Sequence, residues 1–270
     1  FDQPAHGACT MHRKSILIDI EGYDEEFDRQ DGYDLWLKIF HNYGVKNINK
    51  PLFCYRQHSN NLTRNEFDLY RTRAKIKAKH VSNNQYESLD ILTIIPVRGP
   101  LIDTSSNPLK KLGGKPLINW SIDSALTSKY TKNIIVSTPD LDIHNYIEET
   151  YNDKITLVKR NPDLARINVS IEDTVEESLS YITKNRPLPD AILILYIDYP
   201  FKRPWQIDET IHTMQIFNTD VVDGIRLDDR FYYQHDGGGL KPFIKDGGLH
   251  LERDQLYRRV GGIHLIKTDF

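Results

Sequence analysis

Short apolar runs alternate with longer amphipathic segments from residue 91 to the end of the chain. Runs such as Ala-Ile-Leu-Ile-Leu at 191–195 read as buried strands, whereas apolar residues spaced three and four apart indicate helices. The predicted strands are Ile91–Val97, Asn133–Ser137, Ile155–Val158, Ala191–Ile197 and Asp220–Ile225. The predicted helices are Pro116–Thr127, Leu141–Tyr151, Ile171–Lys184 and Pro204–Phe217.

This alternation predicts the fold class of the larger part of the chain. Continuous apolar strands separated by helices are typical of parallel sheets that are covered on both faces. We therefore expect an α/β domain over residues 90–270, with a mostly parallel, Rossmann-like sheet and helices on both faces.

The first 82 residues have a different pattern. They predict helices at Asp31–Tyr43 and Glu66–Lys79 and two short strands at Val45–Asn49 and Leu52–Arg56, which together make a small α+β fragment. The polar stretch Val81–Ser88 has no periodicity and is the predicted linker. Because the chain starts at Phe1 and stops inside a strand-like run, we expect a fragment of a longer protein.

Composition excludes several classes of protein. The net charge of −3 implies no nucleic-acid partner, and no apolar stretch is long enough for a membrane span. Two cysteines cannot form a disulfide framework, so we expect reduced, partly buried thiols. No signal peptide is visible, which favours a cytoplasmic location.

The most informative segment is 91–122, where an apolar strand ends in Pro96-Val97-Arg98-Gly99 and Gly113-Gly114-Lys115 precedes a helix. A strand, a loop and a helix in this order handle phosphate in many α/β sheets. The segment resembles the nucleotide-binding loop of the acylneuraminate cytidylyltransferases. Four further segments resemble motifs of that family in the same order, namely residues 134–140 (IIVSTPD), 160–165 (RNPDLA), 195–202 (LYIDYPFK) and 257–263 (YRRVGGI).

The resemblance covers about residues 91–270 and implies a nucleotide-diphospho-sugar transferase type of fold. It also implies that CTP and an acidic, sialic-like sugar are the substrates and that Mg²⁺ (or Mn²⁺) is the cofactor. By position, the nucleotide-binding residues would be Arg98, Gly99, Lys115 and Arg160. A surface arginine in a solvated loop is the alternative for Arg98.

Two departures from the family pattern leave the activity open. The two loop lysines of the family are replaced by Ile102 and Asn107, which cannot neutralise phosphate. Asp198 stands where the related 3-deoxy-manno-octulosonate cytidylyltransferases have a magnesium-binding Asp, although a turn aspartate is the alternative. The chain is thus expected to be either a diverged enzyme or a non-catalytic nucleotide- or sugar-binding module.

Residues 1–65 resemble the C-terminal half of family 2 glycosyltransferases of the GT-A fold. The resemblance rests on three segments, 6–13, 21–38 and 51–59. It implies that Asp31 is the catalytic base for a glycan acceptor and that His58 completes a metal site. A helix cap is the alternative for Asp31, and an ordinary loop histidine is the alternative for His58. We expect a bifunctional enzyme of surface-glycan synthesis, with a homodimer among its assemblies.

Overall fold

The computed structural model describes residues 9–48, 50, 52, 54, 65–84, 86–228, 230–243 and 256–269. In chain order the helices are α1 (Lys14–Asp19), α2 (Asp31–Phe40), α3 (Glu66–Asn83), α4 (Leu117–Thr127), α5 (Leu141–Tyr151), α6 (Ile171–Ile182) and α7 (Pro204–Phe217). The strands are β1 (Ile91–Pro96), β2 (Lys111–Leu112), β3 (Lys115–Pro116), β4 (Asn133–Thr138), β5 (Thr156–Lys159), β6 (Ala191–Leu195), β7 (Val221–Asp228), β8 (Tyr233–His235), β9 (Leu240–Pro242) and β10 (Leu256–Lys267).

Six of these strands form the central sheet, in the order β5-β4-β1-β6-β10-β7. Strand β1 pairs in parallel with β4 and with β6, and β4 pairs in parallel with β5. Strand β10 is antiparallel to β6 and to β7. The predicted mostly parallel sheet is therefore confirmed, with an antiparallel pair of strands at one edge.

Helices cover both faces of the sheet, as predicted. On one face, Ile118 and Ile122 of α4 and Ile207 of α7 pack against β1, β4 and β6. On the other face, α6 packs its apolar stripe against Leu92 and Ile194. A sheet that is buried on both sides needs strands without polar alternation, which explains the continuous apolar runs.

The first part of the chain packs directly on α7. A small apolar cluster joins Phe27, Tyr33 and Leu37 to Ile76 and Ile216, and the Trp36 ring stacks on Phe217 with centroids 5.6 Å apart. Helix α3 runs to Asn83 and buries Val81, so helix occupies the start of the predicted linker. The division into domains at 82–90 stays a prediction.

The strand predicted at Val45–Asn49 is wrong for its described residues. Val45–Ile48 adopt no regular structure, and the side chains of Val45 and Ile48 are largely exposed. An extended segment becomes a strand only when a neighbour supplies backbone hydrogen bonds, and the described residues of this region provide none. Most of the other predicted strand, Leu52–Arg56, lies outside the described residues.

Two surface features complete the description. Cys9 and Cys54 form no disulfide, and both are exposed rather than partly buried as predicted. None of the helices in the described ranges is both long and apolar enough to cross a bilayer.

Candidate functional site at the carboxyl edge of the sheet

Four loops meet at one edge of the sheet, because the parallel strands β1, β4, β5 and β6 all end there. Strand β10 runs the other way, so its residue Ile263, which pairs with Leu195, lies at the same edge. Ligands of open α/β sheets bind outside the carboxyl ends of the strands. This edge is therefore the candidate functional site.

Arg98 and Gly99 leave the end of β1 in the middle of this edge. The Gly99 N–H donates to Asp140 Oδ2 at 2.8 Å, and a Cβ at residue 99 would lie 2.5 Å from the Asp140 carboxylate. The loop is held from the other side by Ser106 Oγ, which donates to the Arg98 carbonyl at 2.7 Å. The half-buried Arg98 guanidinium has no hydrogen bond or ion pair with any described residue. It is therefore available to an anion.

Arg160 lies beneath this loop. It is almost wholly buried, and its guanidinium donates to the Val97 carbonyl and, at 3.3 Å, to Thr174 Oγ1, while Nε has no partner. Burial, with a smaller contribution from Arg98, lowers the pKa of Arg160 to about 10. The structure thus brings Arg160 next to Arg98 and Gly99, in a supporting position, and direct contact with a nucleotide stays a prediction.

Lys115 is engaged elsewhere. It follows the Gly113–Gly114 turn, where both glycines have positive φ, and its ammonium lies 2.6 Å from Asp123 Oδ2 and 4.2 Å from the centroid of the Trp120 ring. These contacts anchor the β2–β3 hairpin to α4. A nucleotide would have to compete with Asp123 for this ammonium, so the predicted role of Lys115 is not supported by its contacts.

Asp198 lies in the turn after β6 and is exposed. Four residues later, the buried Lys202 ammonium donates to the Tyr196 and Tyr199 carbonyls, both at 2.7 Å. Burial lowers the pKa of Lys202 to about 8, and the negative charge of Asp198 partly opposes that shift. The exposed Asp198 carboxylate therefore lies at the candidate functional site, in a turn that Lys202 holds through two backbone carbonyls.

A charged cluster that sequence reasoning missed lies beside this turn. Asp223 Oδ1 accepts from Arg259 Nε at 2.8 Å and is 2.7 Å from His264 Nδ1. Pairing of β7 with β10 shifts register between Arg259 and His264, which brings both side chains to one carboxylate. Burial raises the pKa of Tyr196, and the charges of Arg259, Asp223 and Arg98 act on it as well.

Sequence signals for this cluster were weak. The motif at 257–263 includes Arg259 but gives it no role, and nothing in the local sequence marks Asp223 or His264. Asp140 is likewise visible in the sequence only as the last residue of the segment 134–140. Its contact with Gly99 joins residues 41 positions apart and depends on the pairing of β1 with β4.

Asp31 lies apart from these groups, at the first position of α2. Its side chain is exposed, and the N-cap position of α2 is occupied by Gln30 rather than by Asp31. Gln30 before it has φ of +60° and accepts a hydrogen bond from Arg73 Nε at 2.7 Å. His58 lies outside the described residues.

The predicted cation can be tested against the donor groups at the edge. The described residues contain no group of three or more His, Cys, Asp or Glu side chains that could cage a metal ion. Mg²⁺ in proteins often keeps several waters and binds one or two carboxylates together with substrate phosphates. The exposed Asp198 carboxylate fits that pattern, in which phosphate oxygens supply the other ligands.

Comparison with known proteins agrees with this geometry. Residues 105–223 match the family model described as Cytidylyltransferase. The chain is 26% identical over 180 residues to the CMP-N,N'-diacetyllegionaminic acid synthase of Legionella pneumophila, covering 65% of this chain and 77% of that protein. It is 28% identical over 173 residues to an N-acylneuraminate cytidylyltransferase of Streptococcus agalactiae, covering 62% of this chain and 39% of that protein.

Solved structures support the fold. A 4-diphosphocytidyl-2C-methyl-D-erythritol synthase from Anaerococcus prevotii superposes with a TM-score of 0.51 at 16% identity, covering 67% of this chain and 71% of that one. A CMP:2-keto-3-deoxy-manno-octonic acid synthetase solved with CTP superposes with a TM-score of 0.50 at 17% identity, covering 67% and 75%. Residues 105–223 are thus similar to cytidylyltransferases, and the fold is that of cytidylyltransferase structures. The matched family model begins at residue 105, so the glycosyltransferase resemblance of residues 1–65 stays a prediction.

Proposed function

We propose that the domain after residue 90 joins CTP to an acidic sugar of the nonulosonic or octulosonic class and releases a CMP-sugar and pyrophosphate. The observation that carries the proposal is the Arg98 guanidinium, which is half-buried at the end of β1 without a partner among the described residues. The relatives named for legionaminic acid, N-acylneuraminate and 3-deoxy-manno-octulosonate support an acidic sugar as the acceptor of CMP.

The reaction requires positive charge close to the phosphates. The sugar hydroxyl oxygen forms a bond to the α-phosphorus, the bond from that phosphorus to the β-phosphate oxygen breaks, and the hydroxyl proton is released. Arg98 would bind the triphosphate directly, and the buried charge of Arg160 would stabilise it from below. A magnesium ion bound at Asp198 would supply charge neutralisation for the phosphates.

The sugar would lie toward β7 and β10. Arg259 offers the terminal nitrogens of its guanidinium at this edge, because Asp223 occupies Nε. Guanidinium groups bind carboxylates through paired hydrogen bonds, which suits an acidic sugar.

The test is a CTP titration followed by a turnover assay. Wild type should bind CTP with Mg²⁺, and it should release pyrophosphate with at least one of N-acetylneuraminate, legionaminate or 3-deoxy-manno-octulosonate. Arg98→Ala should weaken CTP binding about tenfold or more, since charge-assisted hydrogen bonds contribute about 1.5–3 kcal/mol. Exposed Lys184, which follows the C-terminal end of α6, provides the matched control Lys184→Ala.

The outcomes distinguish a diverged enzyme from a non-catalytic binding module. Binding of CTP without turnover of any of the three sugars would favour the non-catalytic module, to which the Ile102 and Asn107 replacements point. The absence of CTP binding would refute the proposal. A CTP-dependent reaction also accords with the cytoplasmic location expected from the sequence, which stays a prediction.

The first part of the chain is proposed to act on a glycan acceptor within a longer protein, with Asp31 as the base. Its support is the exposed carboxylate at the start of α2, preceded by Gln30 in a left-handed backbone conformation of the kind that clusters at functional sites. In a longer protein that includes the donor-binding half, Asp31→Asn should abolish glycosyl transfer and leave donor affinity unchanged. Retained transfer would refute the assignment.

A homodimer through the β7–β10 ribbon is also proposed. Large apolar side chains are exposed along this ribbon and its β8–β9 extension, at Ile225, Leu227, Phe231, Tyr233, Leu240, Phe243 and Tyr257. Large apolar side chains that are exposed along one element can mark an interaction site in a protein.

A further inference from the structure

Lys202 is a buried lysine whose three donors are all used. Its ammonium donates to Ser121 Oγ at 2.8 Å and to the carbonyls of Tyr196 and Tyr199, both at 2.7 Å. These three acceptors belong to helix α4, to the end of β6 and to the turn that follows. A single ammonium therefore ties the turn to the helix beneath it.

This ammonium has no carboxylate within ion-pair distance in the described part of the chain. Asp198 is the charged group that influences it, at longer range, while α4 contributes the neutral Ser121 hydroxyl. A buried charge without a counter-ion is costly, and carbonyl and hydroxyl acceptors offset part of that cost. Such a residue is not expected at a position where an apolar side chain would serve equally well.

The same turn is held from the opposite side by β10. Tyr199 packs on two glycines: a Cβ added at Gly261 would lie 3.2 Å from its ring, and a Cβ added at Gly262 would lie 3.1 Å from its Cβ. The Tyr196 N–H donates to the Gly262 carbonyl at 3.3 Å. Between Tyr196 and Tyr199, both of which are clamped, stands Asp198, whose own side chain is exposed.

We propose that Lys202 is a positioning residue, which holds the turn at 196–199 so that the Asp198 carboxylate meets the cation carried by the triphosphate. The identity of the ligand rests on the proposed function. The hydrogen bonds by which Lys202 holds the turn, however, are made within the chain and need no ligand. Lys202 acts through backbone carbonyls and need not touch the nucleotide.

The experiment has one arm without nucleotide and one with it. Hydrogen exchange of the amides of residues 197–199 and 201 should be faster in Lys202→Met than in wild type, in the absence of CTP. In titrations, Lys202→Met should lose about tenfold or more of the CTP affinity measured with Mg²⁺, as changes to supporting groups of metal sites commonly do. Affinity measured in EDTA should change less than twofold.

Two further variants separate positioning from general stability. Lys202→Arg keeps a charged donor and should recover part of the Mg²⁺-dependent affinity, and Lys184→Met should behave as wild type. Ser121→Ala removes one acceptor and keeps the ammonium. Ser121→Ala should show smaller increases in amide exchange and smaller losses of Mg²⁺-dependent CTP affinity than Lys202→Met. If Lys202→Met does not fold, Ser121→Ala is used in its place.

The possible results point in different directions. If the hydrogen-exchange rates of the amides at 197–199 and 201 are unchanged in the folded variants, Lys202 does not hold this turn in place. Equal losses of CTP affinity with Mg²⁺ and in EDTA would reduce Lys202 to a stabilising residue and overturn the positioning role. If wild type binds no CTP, the proposed function fails, whereas the exchange arm still decides whether Lys202 orders the turn.

Discussion

At the scale of single residues, the carboxyl edge of the sheet is organised by close contacts between distant positions. The Asp140 carboxylate occupies the space where any side chain at residue 99 would begin, so glycine is required there for a steric reason. Arg160 supports the same loop by donating to the Val97 carbonyl. The loop that carries Arg98 is therefore shaped by β4 and β5 as much as by its own sequence.

Gly99→Ala should destabilise the protein by about 1–3 kcal/mol, the usual cost of overpacking a tight site. The new methyl group would collide with Asp140, which is buried and accepts the Gly99 N–H. Urea unfolding of Gly99→Ala, Asp140→Gly and the double variant measures the effect. The double variant should be more stable than the sum of the two single losses, and simple additivity would contradict the steric argument.

His212 makes stability depend on pH. Burial, followed by the charges of Lys77 and Lys129, lowers its pKa to about 4, while Nε2 lies 2.8 Å from the Tyr130 hydroxyl. Because the folded-state pKa is below the ordinary value of about 6.5, the unfolded chain binds the proton more tightly. Stability is therefore lost as pH falls from 6.5 toward 4.

The loss from His212 should reach about 2 kcal/mol between pH 8 and pH 5. Urea unfolding of wild type and His212→Phe at both pH values measures it. The variant keeps an aromatic ring and should lose less stability on acidification. His80, whose pKa burial also lowers to about 4, will contribute a similar loss in both proteins. Equal losses in the two proteins would exclude His212 as a source.

At the scale of elements, the contact between α3 and α7 joins the two parts of the chain. Lys77 of α3 donates to Glu209 Oε1 and to Thr213 Oγ1, each at 2.9 Å, and Lys77 is buried. The Trp36–Phe217 stack extends the contact through α2. Helices α2 and α3 thus bury apolar side chains against α7, which begins just after Lys202.

Lys77→Ala should destabilise the protein by about 3 kcal/mol, because it leaves Glu209 without its partner in a poorly hydrated interface. Glu209→Gln should cost less, since the amide oxygen can still accept from Lys77. Thermal unfolding of both variants measures the losses, with exposed Lys75→Ala as the control. A loss for Lys77→Ala no larger than that of the control would show that the buried pair contributes nothing to the contact.

At the scale of the whole molecule, the ribbon formed by β7 and β10 extends beyond the sheet and exposes its apolar side chains. Its tip is tied internally by Asp228, which binds Arg230 and the Tyr232 hydroxyl. The exposed apolar residues are not explained by that internal bonding. A second copy of the chain is the occupant proposed above.

Sedimentation velocity should therefore show a dimer for wild type. The variant Ile225→Lys with Leu227→Lys should shift the protein to monomer without lowering its melting temperature as a core substitution would, because both side chains are exposed. A matched pair of changes on another surface, Leu126→Lys with Leu141→Lys, serves as the control. A wild-type monomer at all concentrations tested would refute the dimer.

Local pattern was sufficient to predict the four helices and five of the six central strands of the larger domain, but not β10. Helices α5 and α7 begin and end where the sequence predicts, and the central strands differ by two residues or fewer at most ends. The reason is that periodicity reports which faces are buried, and a strand buried on both sides has an unmistakable composition. The place of the Arg98–Gly99 loop after β1 follows from the same pattern.

The tertiary structure alone decided which side chains meet. Whether Arg160 faces solvent or lies under the loop depends on how β5 packs beside β4, and the meeting of Asp223, Arg259 and His264 depends on a register shift between β7 and β10. Periodicity carries no information about register or about contacts 40 to 130 positions apart. For the same reason the sequence predicted a strand at Val45–Asn49, because it could not show whether a neighbouring strand would be there to pair with it.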